Sequence, residues 1–190
     1  MRIIGGTHRG LKLASVGKGD AAAHLRPTSD RVRESLFNLL EGGRFGDRIE
    51  GAEVLDLFAG TGALGLEAMS RGASRVQFVE NGRPALKLLQ ANIEKLQCEA
   101  ASRILRQDAT RLGQNTGHAA TLVFLDPPYG KQRGEVAIER AVAGGWLANG
   151  ALVVWEEHAE VAQPMGFEKL EARRYGDTWL TLLEYKRPSN

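Results

Sequence analysis

Apolar positions follow two different periods along this chain. Short apolar runs at 54–58, 76–79, 122–125 and 152–155, the first two each holding one polar residue, with a weaker one at 104–105, have the length and composition of short buried strands. Between them lie segments of helical spacing. One runs from the glycine-rich turn after the first run to Arg71-Gly72. A second opens at Pro84 and sets Leu86, Leu89, Ile93 and Leu96 on one face, and a third covers roughly 134–144. This alternation predicts an α/β fold with a doubly wound, mostly parallel sheet. The two ends of the chain break the pattern. Residues 167–174 and 178–186 flank Tyr175-Gly176-Asp177, which predicts a terminal hairpin and antiparallel edge strands. Residues 2–4 and 11–14 flank Gly5-Gly6-Thr7-His8-Arg9-Gly10, which predicts an N-terminal β-hairpin with a basic tip. A loop over 15–25 follows. After Pro27 comes a helix over 29–42 that buries Val32, Leu36, Leu39 and Leu40, turns Arg31, Glu34 and Asn38 to another face, and stops at Gly42-Gly43. We therefore expect an N-terminal section, 1–45, packed on the same unit as a main domain, 46–190.

Composition narrows the class. The 190 residues are enough for one domain with a sizeable core, and 43% apolar with 25% charged residues excludes wholesale disorder. A single cysteine, Cys98, excludes an internal disulfide and a cysteine-based zinc site. His8, His24, His118 and His158 are scattered without ligand spacing, so no metal is expected. No run approaches the roughly 18 apolar residues of a membrane span, and no apolar leader opens the chain. A cytoplasmic protein without membrane contact is the expectation.

Net charge is only +2, but it is unevenly spread. Residues 1–35 hold seven Lys and Arg against three Asp and Glu, a surplus of +4; the remainder holds 18 against 20, or −2. A basic arm on a slightly acidic body suits a polyanionic partner, and equally describes a solvated arm with none.

Gly60-Thr61-Gly62-Ala63-Leu64-Gly65 follows the first predicted strand and opens a helix, and Glu80 ends the next strand 20 residues after Gly60. Such glycines permit a tight turn and close backbone approach, the helix N-terminus favours negative charge, and the acid can accept two ribose hydroxyls. An adenosine-containing ligand at the carboxyl edge of the sheet is implied; a plain tight strand–helix turn is the competing reading. Asp56, just before the glycines, would repel a pyrophosphate but suit an ammonium or a sulfonium, both of which S-adenosylmethionine carries. It could also simply cap nearby amides. Asp108, after the third strand, could accept from an adenine amino group or cap a helix.

Asp126-Pro127-Pro128-Tyr129 ends the fourth strand. Two prolines stiffen the backbone and remove two N–H donors. What remains is a carboxylate, a carbonyl and an aromatic ring. These can hold the N–H groups of an exocyclic base amine, aim its nitrogen at a methyl donor, and stack on the base. The alternative is a turn with two prolines.

These elements together resemble the RsmD-type methyltransferases, S-adenosylmethionine-dependent enzymes of bacterial 16S rRNA. The resemblance runs through Arg2-Ile3-Ile4-Gly5-Gly6, Arg9-Gly10-Leu11-Lys12-Leu13, Arg26-Pro27-Thr28-Ser29-Asp30-Arg31-Val32-Arg33-Glu34-Ser35-Leu36-Phe37-Asn38, the glycine loop from Asp56 to Ala68, Ser70-Arg71-Gly72, Asp-Pro-Pro-Tyr and Tyr175-Gly176-Asp177-Thr178. It implies a Rossmann-like class I methyltransferase sheet of seven strands. It implies transfer of a methyl group to the N2 amine of a guanine, with S-adenosylhomocysteine as product and no metal. Asp56, Phe58, Ala59, Gly60, Thr61, Gly62, Leu64 and Gly65 would surround the methionine part of the cofactor, Glu80 and Asn81 the ribose, and Asp108 and Ala109 the adenine. Arg26 and Thr28 would form a lid. Asp126, Pro127, Pro128 and Tyr129 would hold a flipped guanine. Arg2, His8, Arg9, Lys12, Arg31 and Arg33 would contact RNA. The implied partner is 16S rRNA in the small subunit or an assembly intermediate, met by a monomer or weak dimer.

Asp-Pro-Pro-Tyr serves guanine, adenine and cytosine amines alike, so an adenine-N6 methyltransferase of DNA or RNA stays open. An NAD-dependent oxidoreductase would use the glycine loop and Glu80 but leave the proline element idle, and a non-catalytic RNA-binding protein would leave the loop idle.

Overall fold

The computed structural model describes residues 1–15, 30–42, 44–128 and 132–188. Its strands are β1 (Glu53–Leu57), β2 (Arg75–Val79), β3 (Ser102–Leu105), β4 (Ala120–Leu125), β5 (Leu147–Glu157), β6 (Phe167–Tyr175) and β7 (Thr178–Tyr185). They form one sheet in the order β3-β2-β1-β4-β5-β7-β6. Parallel pairing joins β3, β2, β1, β4 and β5, and β7 lies antiparallel between β5 and β6. This is the doubly wound sheet with a terminal hairpin that the apolar pattern predicts. Chain order reverses between β1 and β4. The loops leaving these two strands therefore diverge and open a crevice at their carboxyl ends.

The helices are α1 (Asp30–Gly42), α2 (Ala63–Ser70), α3 (Arg83–Leu96) and α4 (Arg133–Ala143). Leu36, Phe37 and Leu40 of α1, Leu66 of α2 and Leu89 and Ile93 of α3 share one core with Val54, Phe78 and Phe124. Ala137, Ile138 and Ala141 of α4 share the other with Leu55, Leu57, Val123, Leu125, Trp146 and Trp155. Both sheet faces are thus covered, which is why β4 reads as an apolar run and β1 and β2 as apolar runs each interrupted by a single polar residue, Asp56 and Gln77.

Three boundaries depart from expectation. β5 starts at Leu147, five residues before its apolar run, because the pairing with β4 shifts register between Ala120 and Leu122 and accommodates the polar Asn149-Gly150. In α1, Val32 and Leu39 are only half-buried, and Phe37 takes a fully buried place. Arg33 is also fully buried, which corrects its assignment to an RNA-facing surface. Its NH2 donates to Asp30 Oδ1 at 2.7 Å and to the Arg2 carbonyl at 2.8 Å, so a carboxylate one turn back and a main-chain oxygen compensate part of its charge.

The N-terminal hairpin is closed by an antiparallel bridge between Arg2 and Lys12, and Ile3 is fully buried beneath it. It docks on α2. The buried Glu67 carboxylate accepts from the amides of Ile4 and Gly5, both at 2.8 Å, and pairs with Arg71 Nε at 2.7 Å. The Thr7 amide donates to the Ser70 carbonyl at 2.7 Å. Gly6 sits against that carbonyl with φ +73°, and a Cβ there would lie 1.7 Å from Ser70 O. Gly6→Ala should therefore destabilise the protein by about 2 kcal/mol or more in thermal unfolding. Gly10→Ala, at φ +87° but facing open space, should cost about 1 kcal/mol.

Candidate active site

Asp56 lies within β1, where side chains alternate between faces, and is buried under the start of α2. Its Oδ2 accepts from the Gly65 amide at 3.0 Å. Gly65 is what allows this approach. A Cβ there would stand 2.5 Å from the Phe78 ring, 2.8 Å from Val76 and 2.9 Å from Asp56 Oδ2. Burial pushes the Asp56 carboxyl up to about 7; the Gly65 amide pulls it back, and the Glu80 charge adds to the rise. α2 begins at Ala63, inside the glycine motif, so Gly60, Thr61 and Gly62 form the turn and Leu64 and Gly65 belong to the helix. Phe58 opens the turn at φ +62°, a left-handed conformation costing roughly 1–3 kcal/mol for a side-chain-bearing residue, and Ala59 N anchors it to the Val79 carbonyl at 3.0 Å.

Glu80, at the end of β2, is largely engaged by this loop. Its Oε2 accepts from Gly60 N at 2.8 Å, and its Oε1 from Asn81 N at 2.9 Å and Gly82 N at 2.6 Å. Asn81 is exposed beside it. The acid thus ties the two turns together and keeps lone-pair capacity for a further donor.

Asp108 does what the competing reading expects. It caps the short 3₁₀ turn Ala109–Arg111, accepting from Thr110 N at 2.9 Å. It also pairs with Arg133 NH2 at 2.7 Å. Partial burial raises its carboxyl, but the Thr110 and Arg133 contacts outweigh this and hold it below the usual range. The Arg133 guanidinium stands 5.6 Å over the Phe58 ring. This one side chain, unnoticed in the sequence, thereby spans the crevice from α4 to the loops after β1 and β3.

Asp126 follows β4, and its amide donates to the Leu57 carbonyl at 3.4 Å. Pro127 is buried and Pro128 exposed. The Asp126 carboxylate accepts no hydrogen bond from the described residues. Burial pushes its pKa well above the ordinary range, and the charges of Glu156, Asp56 and Glu157 push it further. Tyr129, Arg26 and Thr28 lie outside the described residues.

The hairpin presents Arg2, Arg9 and Lys12 as exposed cations, with His8 half-buried and touching Thr7 Oγ1 at 3.0 Å, while Arg31 is exposed on α1. Arg2 is within 3.4 Å of Asp30. Asn92, also unnoticed in the sequence, joins this arm to the cofactor loop. Its Nδ2 donates to the Thr61 carbonyl at 3.0 Å and to the Ala14 carbonyl at 3.1 Å, while its Oδ1 accepts from Ala14 N at 2.7 Å. A polar residue at a buried position of α3, between Leu89 and Leu96, was the available signal.

Among families of known proteins, the model described as conserved hypothetical protein 95 matches residues 1–184. Ribosomal RNA small subunit methyltransferase D of Escherichia coli K12 is 39% identical over 164 residues, covering 86% of this chain and 78% of that protein. The chain belongs to the RsmD family. The Haemophilus influenzae member of that name is 38% identical over 160 residues, spanning 82% of this chain and 78% of its own length. The solved Escherichia coli yhhF structure matches at TM-score 0.83 with 35% identity, covering 99% of both chains. The RsmD-type resemblance read from the motifs therefore holds over the whole fold, from the hairpin to β7.

Among the described residues no group of His, Cys, Asp and Glu could hold a metal, and no helix is long and apolar enough to cross a membrane.

Proposed function

We propose that this RsmD-family protein transfers a methyl group from S-adenosylmethionine to the exocyclic N2 amine of a guanine in small-subunit rRNA. The observation that carries the reading is the pairing of a buried acid under a glycine turn with an Asp-Pro-Pro turn, on neighbouring strands of one crevice. The first half fits a cationic nucleoside, because a buried carboxylate held by one main-chain amide and no cation gains much from a cation. When bound, S-adenosylmethionine supplies a methyl group on a positively charged sulfur. Asp56 and the turn from Phe58 to Gly65 would hold its methionine end, Glu80 its ribose, and the Asp108–Ala109 turn its adenine. Arg133 would then exchange part of its hold on Asp108 for the incoming base.

Asp126 and the Pro127 carbonyl accept the two N–H groups of the target amine and turn its nitrogen toward the methyl. Nitrogen forms its new bond as the bond to sulfur breaks, and the amine sheds one proton. With its raised pKa, Asp126 is suited to take that proton at a carboxylate oxygen before passing it to water. Tyr129 would stack on the extruded base.

The test is methylation with labelled S-adenosylmethionine of small ribosomal subunits lacking the modification, followed by mapping of the labelled base. N2-methylguanosine at one site is expected. Label in N6-methyladenosine would replace this reading with the adenine alternative.

The exposed Arg9 and Lys12 of the hairpin would meet phosphates. Replacing both with Ala should weaken rRNA affinity about tenfold at physiological salt and flatten the slope of log K against log salt by roughly 1–2 units. An unchanged slope, measured by filter binding, would return the arm to a solvated surface.

A further inference from the structure

Arg133, the first residue of α4, is placed for something other than its own hydrogen bonding. Its NH2 donates to Asp108 Oδ1 at 2.8 Å and to Asp108 Oδ2 at 2.7 Å, and its guanidinium lies over the Phe58 ring. Its Nε, by contrast, is buried and finds no acceptor. A solvated guanidinium would satisfy that N–H with water, so the contacts to Asp108 and Phe58 hold the side chain where one donor goes unmet. The two oxygens of Asp108 are not equivalent. Oδ1 accepts from Thr110 N at 2.9 Å, from Thr110 Oγ1 at 2.8 Å and from Arg133. Among the described residues Oδ2 accepts from Arg133 alone. A carboxylate oxygen has two lone pairs, so Oδ1 is filled and Oδ2 keeps a place for one more donor. The pair is not sealed in the core: the Arg133 and Asp108 side chains are 33% and 25% exposed. Partial burial raises the Asp108 carboxyl, yet the Thr110 and Arg133 contacts hold it below its usual range, so it has no proton to give.

We infer that Arg133 is the positioning residue that makes the base subsite of the cofactor specific for a 6-aminopurine, by pinning Asp108 so that Oδ2 can only accept. The amine of adenine supplies the second donor to that oxygen, while Arg133 and Thr110 keep Oδ1. A 6-oxopurine in the same place sets its own oxygen against Oδ2, and two acceptors then face each other without a proton between them. The cation over Phe58 fixes this pin relative to the glycine turn, so the acceptor keeps its place while the rest of the nucleoside is held. The inference rests on the proposed adenosine cofactor and adds the residue that makes its base subsite selective.

The experiment compares calorimetric binding of S-adenosylhomocysteine with that of S-inosylhomocysteine, which carries a 6-oxo group and is otherwise the same. The wild-type protein should favour the adenosine compound by roughly 30-fold. In Arg133→Ala the Oδ2 atom loses its fixed donor, and the preference should fall to about threefold, chiefly through weaker binding of the adenosine compound. Arg133→Lys keeps a cation beside Asp108 but not the planar fork, and should restore the preference to about tenfold. A merely structural role for Arg133 would weaken both ligands equally and leave their ratio unchanged. The ion pair is partly exposed, so both variants should melt close to the wild type. Equal wild-type affinities, or an unchanged ratio in either folded variant, would overturn the inference. Failure of the wild-type protein to bind either nucleoside would instead overturn the cofactor reading on which it rests.

Discussion

Asp126→Ala should lower kcat by roughly a thousandfold or more while leaving S-adenosylmethionine affinity within about threefold of wild type. The side chain follows β4 and makes no hydrogen bond with the glycine turn, so its loss should spare the cofactor half of the crevice. The substitution removes both the acceptor that orients the amine and the group placed to take its proton. It also removes a half-buried carboxyl that stands among the charges of Glu156, Asp56 and Glu157, so the variant should be at least as stable as wild type. Asp126→Asn separates the two roles. It keeps an acceptor oxygen but cannot take a proton, so it should lose about 10- to 100-fold in rate and show a flatter pH profile. Single-turnover methylation with separate calorimetric binding measures both. Wild-type turnover by Asp126→Ala would remove the residue from the chemistry.

Cofactor affinity should weaken about tenfold for each pH unit below 7 and be flat above it. The cause is Asp56, whose carboxyl is raised from 3.8 to about 7 mainly by burial. Folding therefore favours its protonated form. That contribution is full below about pH 4 and is lost as pH rises through about 7, amounting to as much as roughly 4 kcal/mol. A bound cation reverses the preference, since it needs the ionised carboxylate. Below pH 7 binding must expel a proton, and above it the charge already stands ready. Asp56→Asn should bind S-adenosylmethionine roughly 100-fold more weakly at pH 8 and lose the pH dependence between 5 and 8. Calorimetry in two buffers of different ionisation enthalpy counts the proton directly. A pH-independent wild-type affinity would sink the proposed contact between Asp56 and the cationic end of the cofactor.

Much of the fold was legible because parallel strands buried on both faces write themselves as apolar runs, and glycine-rich turns mark where they end. The parts that were not legible share a physical reason. Arg33 looks like a surface cation in a charged stretch, yet its stem lies in the core because Asp30 sits one turn back and the Arg2 carbonyl meets its other side. The second of these partners is not visible without the hairpin in place. Asn92, Arg133 and Glu67 likewise draw their meaning from partners 25 to 78 positions away. Asp108 was legible as a cap and as an adenine acceptor; the hydrogen bond from Thr110 N, two residues along the chain, shows the cap and does not bear on the other role. Asp56 and the glycine turn were readable together because their contact spans only nine residues.

The seating of the hairpin on Glu67 has a consequence for modularity. Two of its main-chain amides and Arg71 compensate one fully buried carboxylate. Cutting the arm away would leave that carboxylate short of two donors inside the main core, and would leave Asn92 without its partners at Ala14. The arm therefore cannot be lost or transplanted as a detachable tag. In evolutionary terms the first fifteen residues and the catalytic sheet must vary together, and a chain that trims one must rebuild the other.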